Sequence, residues 1–563
     1  MDDSLWIVAS PRDEAGRLAS ELGIPRAIAQ VLVNRRITEA DQARLFLEGT
    51  LSQVHDPFLM SGMAAAVDRI KSAIARSEKI LIFGDYDVDG VLSVVMLVKA
   101  LRSLAADVEY FIPERLKEGY GIKDEHIAVA AGKGARLVIS VDCGIKANGF
   151  VRKANEQGID VIITDHHLPG PELPEALAIL NPVLESSGYP DKSLAGVGVV
   201  FKLIQALLEQ DGRASVLPHY LKLVAIGTIS DVAELRGENR ILVKRGLQGL
   251  DSVSNQGLKS LIEICGLKGK RISEGDIGFR IGPRINAAGR MGATDLAVRL
   301  FFSPSVEDTA GIVRHLDELN SQRQTAEEKI YNQALGLVKK RSLDKTHKIL
   351  ILGCEKWHRG IIGIVASRLK DAFSRPVILF AYEDGKAFGS GRSISGFSLI
   401  ECLDQCRRLF LTYGGHRLAV GCSLDRANMQ AFKQAANAVA EARLSDADLR
   451  KKIMIDSKLD FTDINAAFFE SHSLLFPFGV GNPRPIFLTE KAEIVGPPQN
   501  LRGRHAKFLV RQGSRVFEAI GWDRGDWAKN VSIGGRVDLA YTFQFSTYLG
   551  EERPYLCLEG LRI

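Results

Sequence analysis

The chain is poor in cysteine and pairs none of it by spacing. Its 563 residues hold seven thiols, Cys143, Cys265, Cys354, Cys402, Cys406, Cys422 and Cys557. They are scattered, odd in number and without a Cys-x-x-Cys pair. That excludes a disulfide framework and a structural zinc site, and it suits a reducing cytoplasm. Cys402 and Cys406, one helical turn apart, read as core. Long hydrophobic runs are also missing: even Val91–Val98 stops at Lys99, so no membrane-spanning helix is expected. The start, Met1-Asp2-Asp3-Ser4, is acidic and shows no secretory apolar region, so the expected location is the cytoplasm. Nor does one sign of charge dominate. A formal net charge of +5 is small for this length, so any basic surface has to be local. Hydrophobic and charged fractions of 46% and 25% are those of an ordinary globular protein. The length calls for about three or four domains.

What the chain does have is a repeated design, an apolar strand that breaks into acid. Ile159–Thr164 runs into Asp165-His166-His167. Lys79–Phe83 runs into Gly84-Asp85-Tyr86-Asp87-Val88-Asp89-Gly90, with carboxylates on alternate positions. Ala135–Val141 runs into Asp142-Cys143-Gly144, and Leu221–Gly227 leads through Thr228 to Asp231. Short β-branched runs of this kind read as buried strands. In an open parallel sheet their C-terminal ends share one edge, where ligands bind. A lone Asp-His-His is more often a surface turn. Four such ends delivering Asp or His to one edge make a site for Mn²⁺ or Mg²⁺.

Residues 1–60 read as a helical lead segment without chemistry, with Thr38-Glu39-Ala40-Asp41 opening one amphipathic stretch. From 61 to 265 strands alternate with helical segments, a parallel sheet covered on both faces. Inside it, Pro113–Gly121 carries Arg115 and Tyr120, which read equally as a solvated loop or as contacts to a phosphate chain and a base. Residues 266–345 hold the glycine-rich stretch Phe279–Gly292, with Arg280, Arg284 and Arg290, and then a long connecting helix begun by Ser305. The stretch reads as an anion cradle or as a structural turn packed between domains. The helix is nearly all polar from Asn320 to Lys329, so it bridges two domains or lines a groove. Residues 346–450 form a second α/β unit, where Gly389-Ser390-Gly391-Arg392-Ser393 and Tyr413-Gly414-Gly415-His416 read as glycine-rich anion loops. Residues 455–563 give about five strands, consistent with a small barrel such as an OB fold. Arg502, Arg504 and Lys507 lie there beside an aromatic, the mixture that single-stranded nucleic acid binding uses.

These motifs resemble a known family. The Asp85–Gly90, Val141–Gly144, Thr164–His167 and Gly227–Asp231 segments look like the four motifs of the DHH phosphoesterases. Gly389–Ser393 and Gly414–His416 look like the associated DHHA1 domain. With the C-terminal barrel, the set is similar to the family's exonucleases specific for single-stranded DNA, from about residue 60 to the C-terminus. The resemblance implies an α/β fold: a parallel-sheet catalytic domain, a long connecting helix, a second α/β domain and an OB barrel.

It also implies two divalent metal ions, Mn²⁺ or Mg²⁺. By match to the motifs the ligands are Asp87, Asp89, Asp142, His166 and Asp231, with His167 close by and Asp142 in the bridging place. Some relatives carry a His where this chain has Phe83, and Asp85 stands in nearby. Arg115, Tyr120, Arg280, Ser390, Arg392 and His416 fall where the family contacts DNA. The implied activity is 5′→3′ hydrolysis of single-stranded DNA to 5′-mononucleotides, in DNA repair and recombination. Two ions would activate a water and clamp the scissile phosphate. The expected protein is a monomer with single-stranded DNA as substrate, and by family a single-strand-binding protein and a helicase as partners. Two rivals remain. A phosphodiesterase of oligonucleotides or cyclic dinucleotides shares the metal motifs but usually lacks the barrel. A non-catalytic replication scaffold of the same fold would have lost carboxylates that are all present here.

Overall fold

A computed structural model describes residues 4–114, 121–548 and 551–563. The first large domain is built on a five-stranded, all-parallel sheet. Its strands lie in the order Val108–Phe111, Ile80–Gly84, Leu137–Val141, Asp160–Thr164, Ala178–Leu180. Alternate side chains enter two separate cores. Ile80, Ile82, Ile139 and Ile162 face one, while Leu81, Phe83, Val138 and Val161 face the other. A sheet buried on both faces needs uninterrupted apolar strands, which explains runs such as Ile80–Phe83.

The fourth acid-tipped run differs from its sequence reading. Leu221–Ser230 is a helix, not a strand. It is apolar nearly all round and buried against helices Val88–Ser103 and Gly237–Leu247. A segment buried on every side leaves no periodicity to tell helix from strand. Asp231 therefore arrives at the C-terminal end of a helix, while the other acids arrive from strand ends.

The connecting helix, Val306–Lys340, is 35 residues long. Its cap is the Ser305 hydroxyl, which accepts from the Asp308 amide at 3.2 Å. Ile312, Val313 and Leu316 enter the core of the parallel-sheet domain, and Ile330, Ala334 and Val338 enter the core of the second domain. The polar middle is occupied by ion pairs: Arg323 with Glu327 at 2.7 Å, and Arg368 with Glu327 and Glu328 at 3.1 and 2.8 Å. The helix is the bridge that its polarity predicted.

The second domain holds a five-stranded mixed sheet in which Lys386–Arg392 is the central strand. Gly389-Ser390-Gly391-Arg392 is thus not a loop. Pairing with Val377–Glu383 on one side and Ala419–Asp425 on the other takes up its backbone, so it cannot cradle an anion with its amides. Its glycines are packing residues, since a Cβ at Gly389 would meet Phe380 and Cys422 at 2.5–2.6 Å. Phe279–Arg290 is likewise helical, within Ile277–Ile281 and Gly282–Arg290, with Met291 and Gly292 in the turn that follows.

The C-terminal sheet closes on itself where Phe487–Ile494 pairs with both Arg536–Tyr548 and His505–Gln512. The result is a five-stranded barrel. The N-terminal residues are its cover. Leu5–Val8 pairs in parallel with Lys452–Ile455. Ala15, Leu18, Ile28, Leu32 and Phe46, from helices Asp13–Leu22, Arg26–Asn34 and Ala40–Glu48, share one core with Phe461, Phe468, Phe487 and Tyr541. The lead segment is structural, and its partner lies over four hundred residues downstream.

Candidate metal centre and strand-binding cleft

The acids converge because their strands are parallel and end on one edge. Asp85 and Asp87 follow strand Ile80–Gly84, and Asp87 caps the next helix by accepting from the Gly90 amide at 3.0 Å. Asp89 lies inside that helix's first turn, fully buried, and accepts from the Gly196 and Val197 amides at 2.8 and 2.7 Å. Asp142 sits past strand Leu137–Val141 in the left-handed region, φ 60°. That conformation swings its carboxylate back over the sheet edge, and the buried Asp142 amide donates to Thr164 O at 2.9 Å.

His166 Nε2 stands 3.1 Å from Asp142 Oδ1, 3.8 Å from Asp231 and 3.9 Å from Asp89. Three sets of donor atoms lie within 4.8 Å of one another: Asp142 with His166 and His167, Asp89 with His166 and Asp231, and Asp85 with Asp87 and Asp142. Every metal-site residue expected from the sequence is therefore in this one cluster.

The electrostatics fit divalent ions. Burial, then the neighbouring Asp87, pushes Asp89 up to about 7, although two backbone amides oppose the shift. Burial and the charges of Asp89 and Asp87 push Asp231 up to about 9, and Asp142 rises for the same reasons. Burial and His167 pull His166 down to about 4, so its imidazole is neutral and offers a lone pair. Asp142 Oδ1 and His166 Nε2 are buried without a hydrogen-bond partner. Crowded buried carboxylates facing a neutral imidazole are costly alone and are relieved by cations. Mn²⁺ or Mg²⁺ suits such an oxygen-rich set with one or two nitrogens.

Two contributions go beyond the sequence reading, in which Asp165 stood only as the first residue of the Asp-His-His motif. Asp165, 1% exposed, is not a further ligand but the clamp of the Asp-His-His turn. Its Oδ1 accepts from the His166 and His167 amides at 2.8 and 3.0 Å and faces His167 Nδ1 at 2.7 Å, while Oδ2 accepts from the Ile145 amide at 2.9 Å. The other is the helix start at Gly196, where a Cβ would lie 2.7 Å from Asp142 Oδ1.

The second domain meets the parallel-sheet domain at Arg290. Ser390 and Arg392 project from the central strand against the start of helix Ile362–Phe373, where a Cβ on Gly363 would meet Ser390 Oγ at 2.8 Å and Arg392 at 3.3 Å. Arg392 also donates to Ser390 Oγ at 3.3 Å. Arg290 donates to Gly360 O at 2.8 Å, tying the two domains together. Arg280 pairs with Asp276 at 3.3 Å and Arg284 with Asp317 at 2.8 Å. These arginines brace helices, in keeping with the structural reading of that stretch. His416 is exposed just past strand Thr412–Gly415. On the barrel, Arg504 pairs with Asp523 and Lys507 with Glu518, and Arg502 sits in a turn at φ 53°. Arg115 and Tyr120 lie outside the described residues. A cleft of about 860 Å³ opens beside Asp231, bordered by Ser230, Val232, Phe279, Asn286, Arg484 and Phe545. No helix among the described residues is long and apolar enough to cross a membrane.

Comparison with known proteins agrees with this geometry. Residues 79–228 match the DHH family N-terminal domain, 346–442 the DHHA1 domain and 455–560 the RecJ OB domain. The chain is 36% identical over 563 residues to the single-stranded-DNA-specific exonuclease RecJ of Bacillus subtilis, covering 99% of this chain and 71% of that protein. To the Escherichia coli exonuclease of the same name it is 33% identical over 574 residues, covering 98% and 97%. The crystal structure of Thermus thermophilus RecJ with Mn²⁺ superposes with a TM-score of 0.86 at 32% identity, covering all of this chain and 80% of that one. The Thermus protein has also been solved with Mg²⁺. The domain order, the near full-length identity and the intact acid cluster together make the chain a member of the RecJ family of single-stranded-DNA-specific exonucleases.

Proposed function

We propose that the chain hydrolyses single-stranded DNA stepwise from its 5′ end and releases 5′-mononucleotides, using two divalent ions. The observation that carries this reading is the convergence of Asp87, Asp89, Asp142, His166 and Asp231 at one sheet edge, with Asp85 and His167 beside them. Divalent ions bound there supply the acidification of water and the positive charge that phosphodiester hydrolysis needs. The chain's own groups do the rest. Asp165 holds both histidines in place, the Gly196 and Val197 amides fix Asp89, and the second domain holds the strand's end in register over the cluster.

End recognition falls to the second domain. An exonuclease needs something that stops the strand at its terminus, and Arg392 with Ser390 offers a guanidinium and a hydroxyl side by side, His416 being a further donor on that domain. A terminal phosphate carries more charge than an internal diester, so a charge-assisted fork favours it. Arg392→Ala is expected to lower kcat/KM on 5′-phosphorylated strands about 10- to 150-fold, the value of one charged hydrogen bond at about 1.5–3 kcal/mol. Strands ending in a 5′-hydroxyl should lose less. Equal losses on both would show that Arg392 serves the fold or an internal phosphate.

The approach of the strand is the cleft beside Asp231, where Phe279 is 84% exposed and offers a base a stacking face. On the barrel, Arg502, Arg504 and Lys507 are the phosphate contacts of this reading, and Arg115 and Tyr120, outside the described residues, complete the set. The role belongs to DNA repair and recombination in the cytoplasm, acting as a monomer beside a helicase and a single-strand-binding protein. Digestion of end-labelled single-stranded DNA with Mn²⁺ tests the reading. Mononucleotides should leave a 5′-labelled strand at once and a 3′-labelled strand last, and the reverse order would refute the polarity.

A further inference from the structure

We infer that Asn239 is a positioning residue of the metal centre: one buried amide clips together the backbone segments that fix Asp89, Asp142 and Asp231. This rests on the metal-site reading above.

Asn239 is fully buried on helix Gly237–Leu247 and is not itself among the clustered donor groups. Its Nδ2 donates to Ser193 O at 2.5 Å and to Glu234 O at 3.1 Å, and its Oδ1 accepts from the Ala195 amide at 3.4 Å. Each partner leads to a ligand. Ser193 and Ala195 form the turn that delivers Gly196 and Val197, whose amides hold the two oxygens of Asp89. The same turn bounds Asp142, because Gly196 lies so close that a Cβ there would overlap the carboxylate, at 2.7–2.9 Å from its atoms. Glu234 is three residues past Asp231, on the segment that leaves the cluster.

A parallel clip supports the assignment. Asp191 accepts from the Ser193 amide at 2.9 Å and from the Glu238 amide at 2.7 Å, so the same turn is tied twice to the same helix. Nearby, the Glu238 carboxylate takes Lys202 Nζ at 3.2 Å and the Tyr189 hydroxyl at 2.5 Å, which leaves the helix start little freedom to follow a displaced turn. A carboxamide suits the position, since two donors and one acceptor are needed and no charge is added beside three crowded carboxylates. Groups that orient metal ligands typically change metal affinity or activity about 10- to 100-fold when removed.

The test is Mn²⁺ titration of the metal-free full chain by calorimetry, alongside thermal melting and single-strand digestion. Asn239→Ala is expected to bind Mn²⁺ about 10- to 100-fold more weakly, with kcat falling and KM for DNA held within about threefold. Asn239→Asp keeps the acceptor but loses both donors, so it should fail as alanine does. Gly196→Ala removes no hydrogen bond yet presses a methyl on Asp142, and it should lose Mn²⁺ affinity too. It carries the test if the Asn239 variants do not fold. Wild-type Mn²⁺ affinity in folded Asn239→Ala, Asn239→Asp or Gly196→Ala overturns the assignment, as does a rise in KM matching the fall in kcat. A wild-type chain that binds no Mn²⁺ would strike instead at the metal centre itself.

Discussion

Asp142→Ala is expected to slow hydrolysis of single-stranded DNA at least about a hundredfold, about 2.7 kcal/mol in barrier, while the chain stays folded and still binds its strand. Asp142 belongs to two of the three donor groups, one with the histidines and one with Asp85 and Asp87. Removing it breaks both groups at their shared member. Its left-handed backbone, φ 60°, and its contact with Gly196 leave no neighbouring carboxylate able to take its place. The fold does not depend on it, because a carboxylate crowded by Asp89, Asp87 and Asp231 destabilises the metal-free chain more than it supports it. Steady-state digestion of a labelled single strand at saturating Mn²⁺, with melting as the control for folding, measures the loss. A folded variant that retains more than about a tenth of the rate, about 1.4 kcal/mol, would contradict the assignment.

Arg240→Ala is expected to cost about 3 kcal/mol of stability or more, since each buried acceptor left without a donor costs about 1–3 kcal/mol. The guanidinium is buried and stacks 3.8 Å over the Phe46 ring. It donates to Phe46 O at 2.6 Å, Leu474 O at 2.9 Å, and Pro477 O and Phe476 O at 3.1 Å. These carbonyls belong to an N-terminal helix and to the turn that precedes the barrel, so one side chain from the catalytic domain joins three parts of the molecule. Burial and the nearby Arg35 hold its pKa down to about 9, and carbonyl dipoles serve as its partners. Alanine leaves four acceptors without their donor. Urea unfolding measures the change, and a variant with the wild-type midpoint would show the clamp to be idle. The same contacts mean that removing residues 455–563 does not cleanly isolate the barrel's role, since Ile28, Leu32 and Phe46 would lose their core.

How far the molecule was legible depended on whether a signal was local. Runs such as Ile80–Phe83 and Ile159–Thr164 announce buried parallel strands by composition alone, and the acids after them mark the sheet edge. Asp231 is legible although Leu221–Gly227 reads as a strand and Leu221–Ser230 is a helix, because either element ends its apolar run just before the acid. Glycine misled once and once left two readings open. Gly389 and Gly391 lie in a strand where Phe380, Val420 and Ile378 leave no room for a Cβ, and Gly289 lets a helix approach Tyr86 O, where a Cβ would stand at 2.4 Å. Glycine needed for close packing looks the same in a sequence as glycine in an anion loop. The docking of residues 5–48 on the barrel was illegible because the amphipathic helices name no partner. Asn239 was illegible because its work is done through backbone atoms of Ser193 and Ala195, far away in the chain, and of Asp165 only the clamping role was hidden.

In the function proposed above, the acid cluster would hold two divalent ions with Asp142 as a ligand common to both. Electron paramagnetic resonance of the metal-free chain during Mn²⁺ titration tests it most directly. The prediction is two Mn²⁺ per chain with an exchange-coupled spectrum, which Asp142→Ala converts to that of isolated ions. A single bound ion, two uncoupled ions, or coupling that survives in Asp142→Ala would contradict it.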